Sequence, residues 1–272
     1  MLLESIERGV GYMNILHEIA ERTKKRVEAQ KKRMSFEHIK ELAQPAGNNS
    51  NHFPFEEALK TKDIAFICEI KRASPSKGMI SEDFPYTHIA KEYEAAGAAA
   101  ISVLTEPFYF KGHDEHLREI ADKISIPLLR KDFTVDSYML YEAKILGASA
   151  VLLICSILDP DTLAEYIATA HSIGLSALVE THSADEVDMA LKAGARIIGV
   201  NNRNLKTFEI DMTLSERLRQ LVPPDVLFVA ESGIKTPEDV AGMREIGADA
   251  VLIGETLMKG VKLEWLRSKS AV

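Results

Sequence analysis

The stretch Leu146-Gly-Ala-Ser-Ala-Val-Leu-Leu-Ile-Cys155 (LGASAVLLIC) ends a helix and opens a strand. Gly147 suits a helix C-cap, because a residue without Cβ enters the left-handed region at little cost. Ala150 to Cys155 is apolar at every position, as in a strand buried on both faces. A similar small-residue signal recurs at Ala96-Gly97-Ala98, Ala193-Gly194-Ala195 and Ile246-Gly247-Ala248. The steps are about fifty residues, or two strand-helix units each, so the repeat is internal. Seven further runs read as strands: Ile64 to Lys71, Ala99 to Glu106, Ile126 to Phe133, Leu175 to Glu180, Ile197 to Asn202, Val226 to Glu231 and Ala250 to Glu255. Between them lie charged segments with helical apolar spacing, such as Asp114 to Ala121 and Glu186 to Ala193. Alternation of this kind means parallel strands joined by crossover helices. Eight strands with no polar edge among them predict a closed (β/α)₈ TIM barrel rather than an open doubly wound sheet.

Ahead of the barrel, Ile15 to Glu41 carries apolar residues at helical spacing, and Gln44 to Asn51 reads as a turn-rich connector. The expected organisation is an N-terminal helical extension with its connector over 1–50 and the barrel over 51–272, as one domain overall. The chain has 272 residues, 46% of them hydrophobic and 27% charged, with a formal net charge of -8. This describes a globular chain with no sign of disorder. Met1 to Arg8 is charged where a signal peptide needs an apolar core, and no run approaches membrane-spanning length, so the expectation is a cytoplasmic protein without membrane contact. Cys68 and Cys155 sit in apolar runs and read as buried thiols. The acidic balance argues against a nucleic-acid surface. The basic clusters Lys24 to Arg26 and Lys31 to Arg33, interleaved with glutamates, read as a solvated helix face. His113-Asp-Glu-His116 resembles a metal cluster, but at a helix start it reads as capping charge, and no metal or cofactor is expected.

In such a barrel the site lies at the C-terminal ends of the strands. Lys131 ends the third strand, and alternation puts Leu129, Lys131 and Phe133 on one face, Arg130 and Asp132 on the other. The same parity pairs Glu69 with Lys71, and further strand ends supply Glu180, Asn201 and Glu231. Singly, each could be a solvated loop residue or an ion pair sealing the barrel. Two cations and several carboxylates at one mouth are costly to hold unless they bind or react. After the last two strands, Gly233 and the run Ile253-Gly254-Glu255 occupy the positions where barrels bind phosphate through backbone N–H groups. Glu255 would repel a phosphate unless its side chain turns away.

The sequence resembles the indole-3-glycerol phosphate synthase family from about Ile15 to Met258. The resemblance rests on Glu69-Ile-Lys71-Arg-Ala-Ser74-Pro-Ser76, Val103-Leu-Thr-Glu106-Pro with Phe110-Lys-Gly112, Leu129-Arg-Lys131-Asp-Phe133, Leu178-Val-Glu180, Gly199-Val-Asn201-Asn-Arg203-Asn-Leu205 and Ala230-Glu231-Ser232-Gly233-Ile234. His113 departs from the serine frequent in the family, and Met1 to Met13 precedes the family pattern. The resemblance implies a carboxy-lyase of tryptophan biosynthesis, with Glu69, Lys71, Lys131, Glu180, Asn201 and Ser232 as catalytic residues. Lys131 is the candidate acid for the alkoxide of ring closure, Lys71 for water loss, and Glu180 or Glu69 the base. Ser74 and Arg203 are expected around the anthranilate end or in the loops that cover it. Phe110, Phe133 and Leu152 would form an apolar slot, and Leu205 and Glu231 complete the substrate-binding set. A phosphorylated small molecule is the implied substrate, and a monomer or weak homo-oligomer the expected state. A different sugar-phosphate barrel, such as phosphoribosylanthranilate isomerase, or a non-catalytic phospholigand-binding barrel is the alternative.

Overall fold

The apolar runs fold as parallel strands whose ends lie within two residues of the ends of those runs. The computed structural model describes residues 12–44, 52–205 and 207–268. The barrel strands are β1 (Ala65–Ile70), β2 (Ala100–Leu104), β3 (Leu128–Lys131), β4 (Ala150–Ile154), β5 (Ser176–Thr181), β6 (Ile197–Asn201), β7 (Leu227–Glu231) and β8 (Ala250–Ile253). Each pairs with the next, and β8 closes on β1 through the register Ala65↔Ala250 to Cys68↔Ile253. Closure removes every sheet edge, which is why all eight strands can be apolar on both faces. Lys71 stands just past the end of β1, and Glu255 opens a short helix, Glu255–Met258, instead of ending a strand. The repeat glycines Gly97, Gly147, Gly194 and Gly247 all lie at positive φ, from 78° to 89°, at the ends of helices.

Alternation along the strands separates two cores. Ala65 and Ile67, Ala150 and Leu152, Ile197, Leu227 and Val229 fill the barrel interior. Phe66, Cys68, Val151, Leu153, Ile198 and Phe228 face the helices. Continuing the inner parity toward the C-terminal ends leads to Glu69, Lys131, Glu180, Asn201 and Glu231, so the strand period itself delivers them to the mouth. Cys68 and Cys155 are buried free thiols, as read from their runs.

The extension consists of α1 (Tyr12–Lys31) and α2 (Phe36–Leu42), broken at residues 32–35, where Ser35 caps the second helix by accepting the His38 N–H. At the opposite end of the barrel, α3 (Pro54–Leu59) sends Phe55 and Leu59 into the interior core, and Glu56 takes a hydrogen bond from Ser176 Oγ and a salt bridge from Arg196. The expected connector from Gln44 to Asn51, with the domain boundary at residue 50, falls outside the described residues beyond Gln44, as does Met1 to Gly11. The solvated-face reading of the basic clusters is corrected in part. Arg26 donates to the buried Asp132 at 2.8 Å and Lys31 reaches Asp136 at 2.6 Å, so α1 is pinned to the barrel just beyond β3. Solvation alone explains neither, because the partners are more than a hundred positions away in sequence.

Candidate active site

At the C-terminal ends of the strands the barrel opens into a cavity of about 350 Å³. Every residue singled out above as a site candidate lines it, from Glu69 and Lys71 to Gly254 and Glu255. The run Arg130-Lys131-Asp132 divides as the parity requires. Arg130 points outward to Asp114 and Glu142, each at 2.7 Å, and Asp132 outward to Arg26 and Thr105 Oγ1, while Lys131 turns inward. Burial works against the ionised Asp132, but Arg26 and Arg130 overcome it and hold its carboxyl below the usual range.

Lys131 Nζ sits between two buried carboxylates, 3.0 Å from Glu180 Oε2 and 2.9 Å from Glu231 Oε2. Lys71 Nζ donates to Glu69 Oε1 at 2.6 Å. Burial opposes the charge on Lys131, yet Glu180, Glu231 and Glu69 together raise its pKa above that of ordinary lysine. Burial likewise opposes the charge on Glu180, and Lys131 and His182 outweigh it, lowering the pKa. At Glu231 burial wins over the pull of Lys131, with Glu180 and Glu69 adding repulsion, and the pKa is pushed up to about 7. Two carboxylates on one ammonium are thereby driven apart in acidity, the arrangement that lets one stay ionised while the other exchanges a proton near neutrality.

Two glycines make this cluster sterically possible. A Cβ on Gly199, in β6, would strike Glu231 Oε1 and press on Leu178 at 3.1 Å. A Cβ on Gly254 would strike Glu69 Oε1 and lie 3.0 Å from Lys71 Nζ. Gly254 was expected only as a point of backbone approach to phosphate, and its immediate task is to leave room for the Glu69–Lys71 pair. Ser232 and Gly233 are both left-handed, with φ of 65° and 89°. Asn202 Nδ2 holds the Ser232 carbonyl at 3.2 Å, and a side chain on Gly233 would collide with Met212 and Ile210. Glu255 is encircled by cations: Lys259 at 2.6 Å, Arg203 at 3.6 Å and Lys77 at 4.0 Å. Burial opposes its charge, but Lys259, Lys77 and Arg203 lower its pKa and offset the repulsion it would exert.

The apolar side of the cavity is built by a carboxylate. Glu106 accepts the backbone N–H groups of Phe108, Tyr109 and Phe110 at 2.7 to 3.0 Å, curling the loop that presents Phe110 to Phe133, with ring centroids 6.3 Å apart. Leu152 lies on the floor and Leu205 on the rim. Ile15, Leu16 and Ile19 of α1 add an apolar wall that was read in the sequence only as a helix face. Lys235 and the Phe208 to Ile210 turn also reach the cavity, and no sequence pattern marked them. In the His113 to His116 cluster, His113 Nδ1 accepts the Glu115 N–H as an N-cap, Asp114 pairs with Arg130, and His116 packs on Tyr86.

A model of the indole-3-glycerol phosphate synthase family matches residues 16–265. The indole-3-glycerol phosphate synthase of Ruminiclostridium cellulolyticum is 58% identical over 260 residues, covering 94% of this chain and all of that protein. Its counterpart from Lachnoclostridium phytofermentans is 52% identical, covering 90% of this chain and 94% of that one. A solved chain from the tryptophan synthase a2b2 complex of Pyrococcus furiosus shares the fold, with a TM-score of 0.56, 15% identity and coverage of 73% of this chain and 90% of that one.

Proposed function

Because the chain belongs to the indole-3-glycerol phosphate synthase family, we propose a reaction route through the side chains that line its mouth. The enzyme is a decarboxylating lyase of tryptophan biosynthesis. It converts 1-(2-carboxyphenylamino)-1-deoxyribulose 5-phosphate to indole-3-glycerol phosphate, carbon dioxide and water. The observation that carries the route is Lys131, an ammonium clamped between Glu180 and Glu231 in a cavity that also holds the Glu69–Lys71 pair and an apolar slot.

In this reading the phosphate lies against the backbone of Ser232 to Gly233 and Gly254 to Glu255, with Lys235 and Lys259 supplying positive charge along the same wall. The aromatic ring enters the slot between Phe110, Phe133 and Leu152, and Ser74 and Arg203 face its carboxylate. The electron-rich aryl carbon attacks the ketone carbon, and Lys131 gives a proton to the oxygen that becomes an alkoxide. Loss of carbon dioxide returns the electron pair to the ring. Lys71 protonates the departing hydroxyl, and Glu180, kept ionised by Lys131 and His182, takes the ring proton. Glu231, with a pKa near 7, is matched to returning a proton to Lys131 between turnovers. Asn201 and Ser232 orient the substrate.

The route draws its protons from side chains and calls on no metal, cofactor, nucleic acid or membrane. Among the described residues no helix is long and apolar enough to cross a membrane. We place the enzyme in the cytoplasm as a monomer or weak homo-oligomer. The direct test is formation of indole-3-glycerol phosphate from the carboxyphenylamino substrate in excess EDTA. Full activity is expected, and activity that returns only on adding a metal would overturn the route.

A further inference from the structure

Behind Glu180 lies a histidine that the catalytic route leaves without a direct task. His182 is two residues past Glu180, where the chain leaves β5 for the helix Ala184–Lys192. Its ring is mostly buried between two carboxylates: Nε2 is 3.5 Å from Glu180 Oε1, and Nδ1 is 3.4 Å from Glu186 Oε2. Both contacts are ion pairs by distance, and among the described residues neither ring nitrogen has a hydrogen-bond partner. Glu186 is held firmly, since its Oε2 accepts the His182 backbone N–H at 2.6 Å and its Oε1 accepts Ser156 Oγ at 2.8 Å. The ring therefore has a fixed carboxylate on its far side, and its near side faces the oxygen of Glu180 that Lys131 leaves free.

Charge balance points the same way. Among the described residues, Glu69, Glu180 and Glu231 share the floor of the site with two paired ammonium groups, Lys71 and Lys131. A protonated imidazole beside Glu180 adds a third cation to this group of carboxylates, shared between Glu180 and Glu186. Glu180 and Glu186 flank the ring directly, Glu231 lies beyond, and Lys131 stands on the other side of Glu180. The carboxylates around the ring outnumber that lysine.

We propose that His182, as an imidazolium bridging Glu180 and Glu186, is a positioning residue that fixes Glu180 in its ionised form and aims its second oxygen at Lys131. The proposal rests on the acid/base roles given to Lys131 and Glu180. His182 acts through Glu180 and does not itself line the cavity. Charge supports the assignment: burial opposes protonation of His182, but Glu186 and Glu180 raise its pKa above the ordinary value.

The test compares pH profiles of kcat and KM for the wild type, His182→Leu, His182→Gln and Glu180→Gln. His182→Leu should lower kcat by about tenfold or more, the scale of losing orientation at a reacting group, with KM within about threefold. Its acidic limb should move up by about one unit, because Glu180 loses a neighbouring opposite charge. His182→Gln keeps a donor near Glu180 without the charge, so kcat should partly recover while the limb stays displaced. An unchanged profile in both His182 variants, with only a lower melting temperature, would overturn the proposal. Glu180→Gln separates the two levels: if it is inactive while His182→Leu keeps its profile, only the His182 role falls. If Glu180→Gln retains wild-type kcat, the role of Glu180 falls and takes the His182 proposal with it.

Discussion

Replacing Lys131 by methionine tests the chemistry and the electrostatics of the site together. The variant keeps most of the side-chain length and removes the ammonium that lies 3.0 Å from Glu180 and 2.9 Å from Glu231. If Lys131 protonates the ring-closure alkoxide, kcat should fall by roughly two orders of magnitude or more, the usual scale for a general acid, while KM stays within about threefold. Stability should fall as well, because two carboxylates that are 4% and 2% exposed lose their shared partner. Breaking a buried pair costs about 3–5 kcal/mol, or roughly 6–10 °C in melting temperature for a chain of this size.

The loss should depend on pH in a defined direction. The folded-state pKa of Glu231 is about 7, above its ordinary 4.5. Its contribution to stability is therefore fully present below the unfolded value and is lost as pH rises through about 7. Removing Lys131 takes away the charge that most lowers that pKa, so Glu231 in the variant binds its proton still more tightly. The stability deficit against the wild type should be near its full size at pH 8 and much smaller at pH 5. Steady-state turnover and thermal melts at these two pH values decide the matter. A kcat within threefold of wild type, with the stability loss present, would show that Lys131 closes the barrel and that another group supplies the proton.

Gly233→Val forces a β-branched residue into a left-handed position against Met212 and Ile210, and KM for the phosphorylated substrate should rise by about tenfold or more; an unchanged KM would put the phosphate elsewhere. Gly199→Ala places a methyl group on Glu231, so it should lower stability by about 1–3 kcal/mol and reduce kcat; a melt and turnover like the wild type would refute the steric account. Arg26→Met leaves the buried Asp132 with Arg130 and Thr105. Because the Asp132 pKa is depressed in the fold, the stability lost should be about 2 kcal/mol or more near neutrality, shrinking as pH falls through the carboxylate range, as melts from pH 7 to pH 3 would show.

The inward turn of Lys131 and the outward turn of Arg130 and Asp132 were legible in the run IPLLRKDF, since alternation along a strand is a property of consecutive residues. The eight strands and the four repeat glycines were legible for the same reason: a buried strand and a helix C-cap each leave their pattern within a few positions. The family motifs then marked the cavity-lining residues, including Phe110, Arg203 and Leu205, whose placement no local pattern reveals. Strand ends blurred by a residue or two, because the same apolar side chains continue into the loops that cover the mouth.

What only the tertiary structure decided are the meetings between distant residues. Lys131 meets Glu180 across 49 positions and Glu231 across 100, and Arg26 reaches Asp132 across 106. The tasks of Gly199 and Gly254 appear only when the barrel is closed, because each glycine makes room for a carboxylate from another strand. The same holds for the α1 residues that wall the cavity and for His182, whose neighbours within five positions include both of its carboxylates, yet whose ring is brought between them by the turn out of β5. Sequence patterns report sterics over a few bonds. Which charges share a desolvated space, and so which of them hold a proton, depends on the register in which the eighth strand closes on the first.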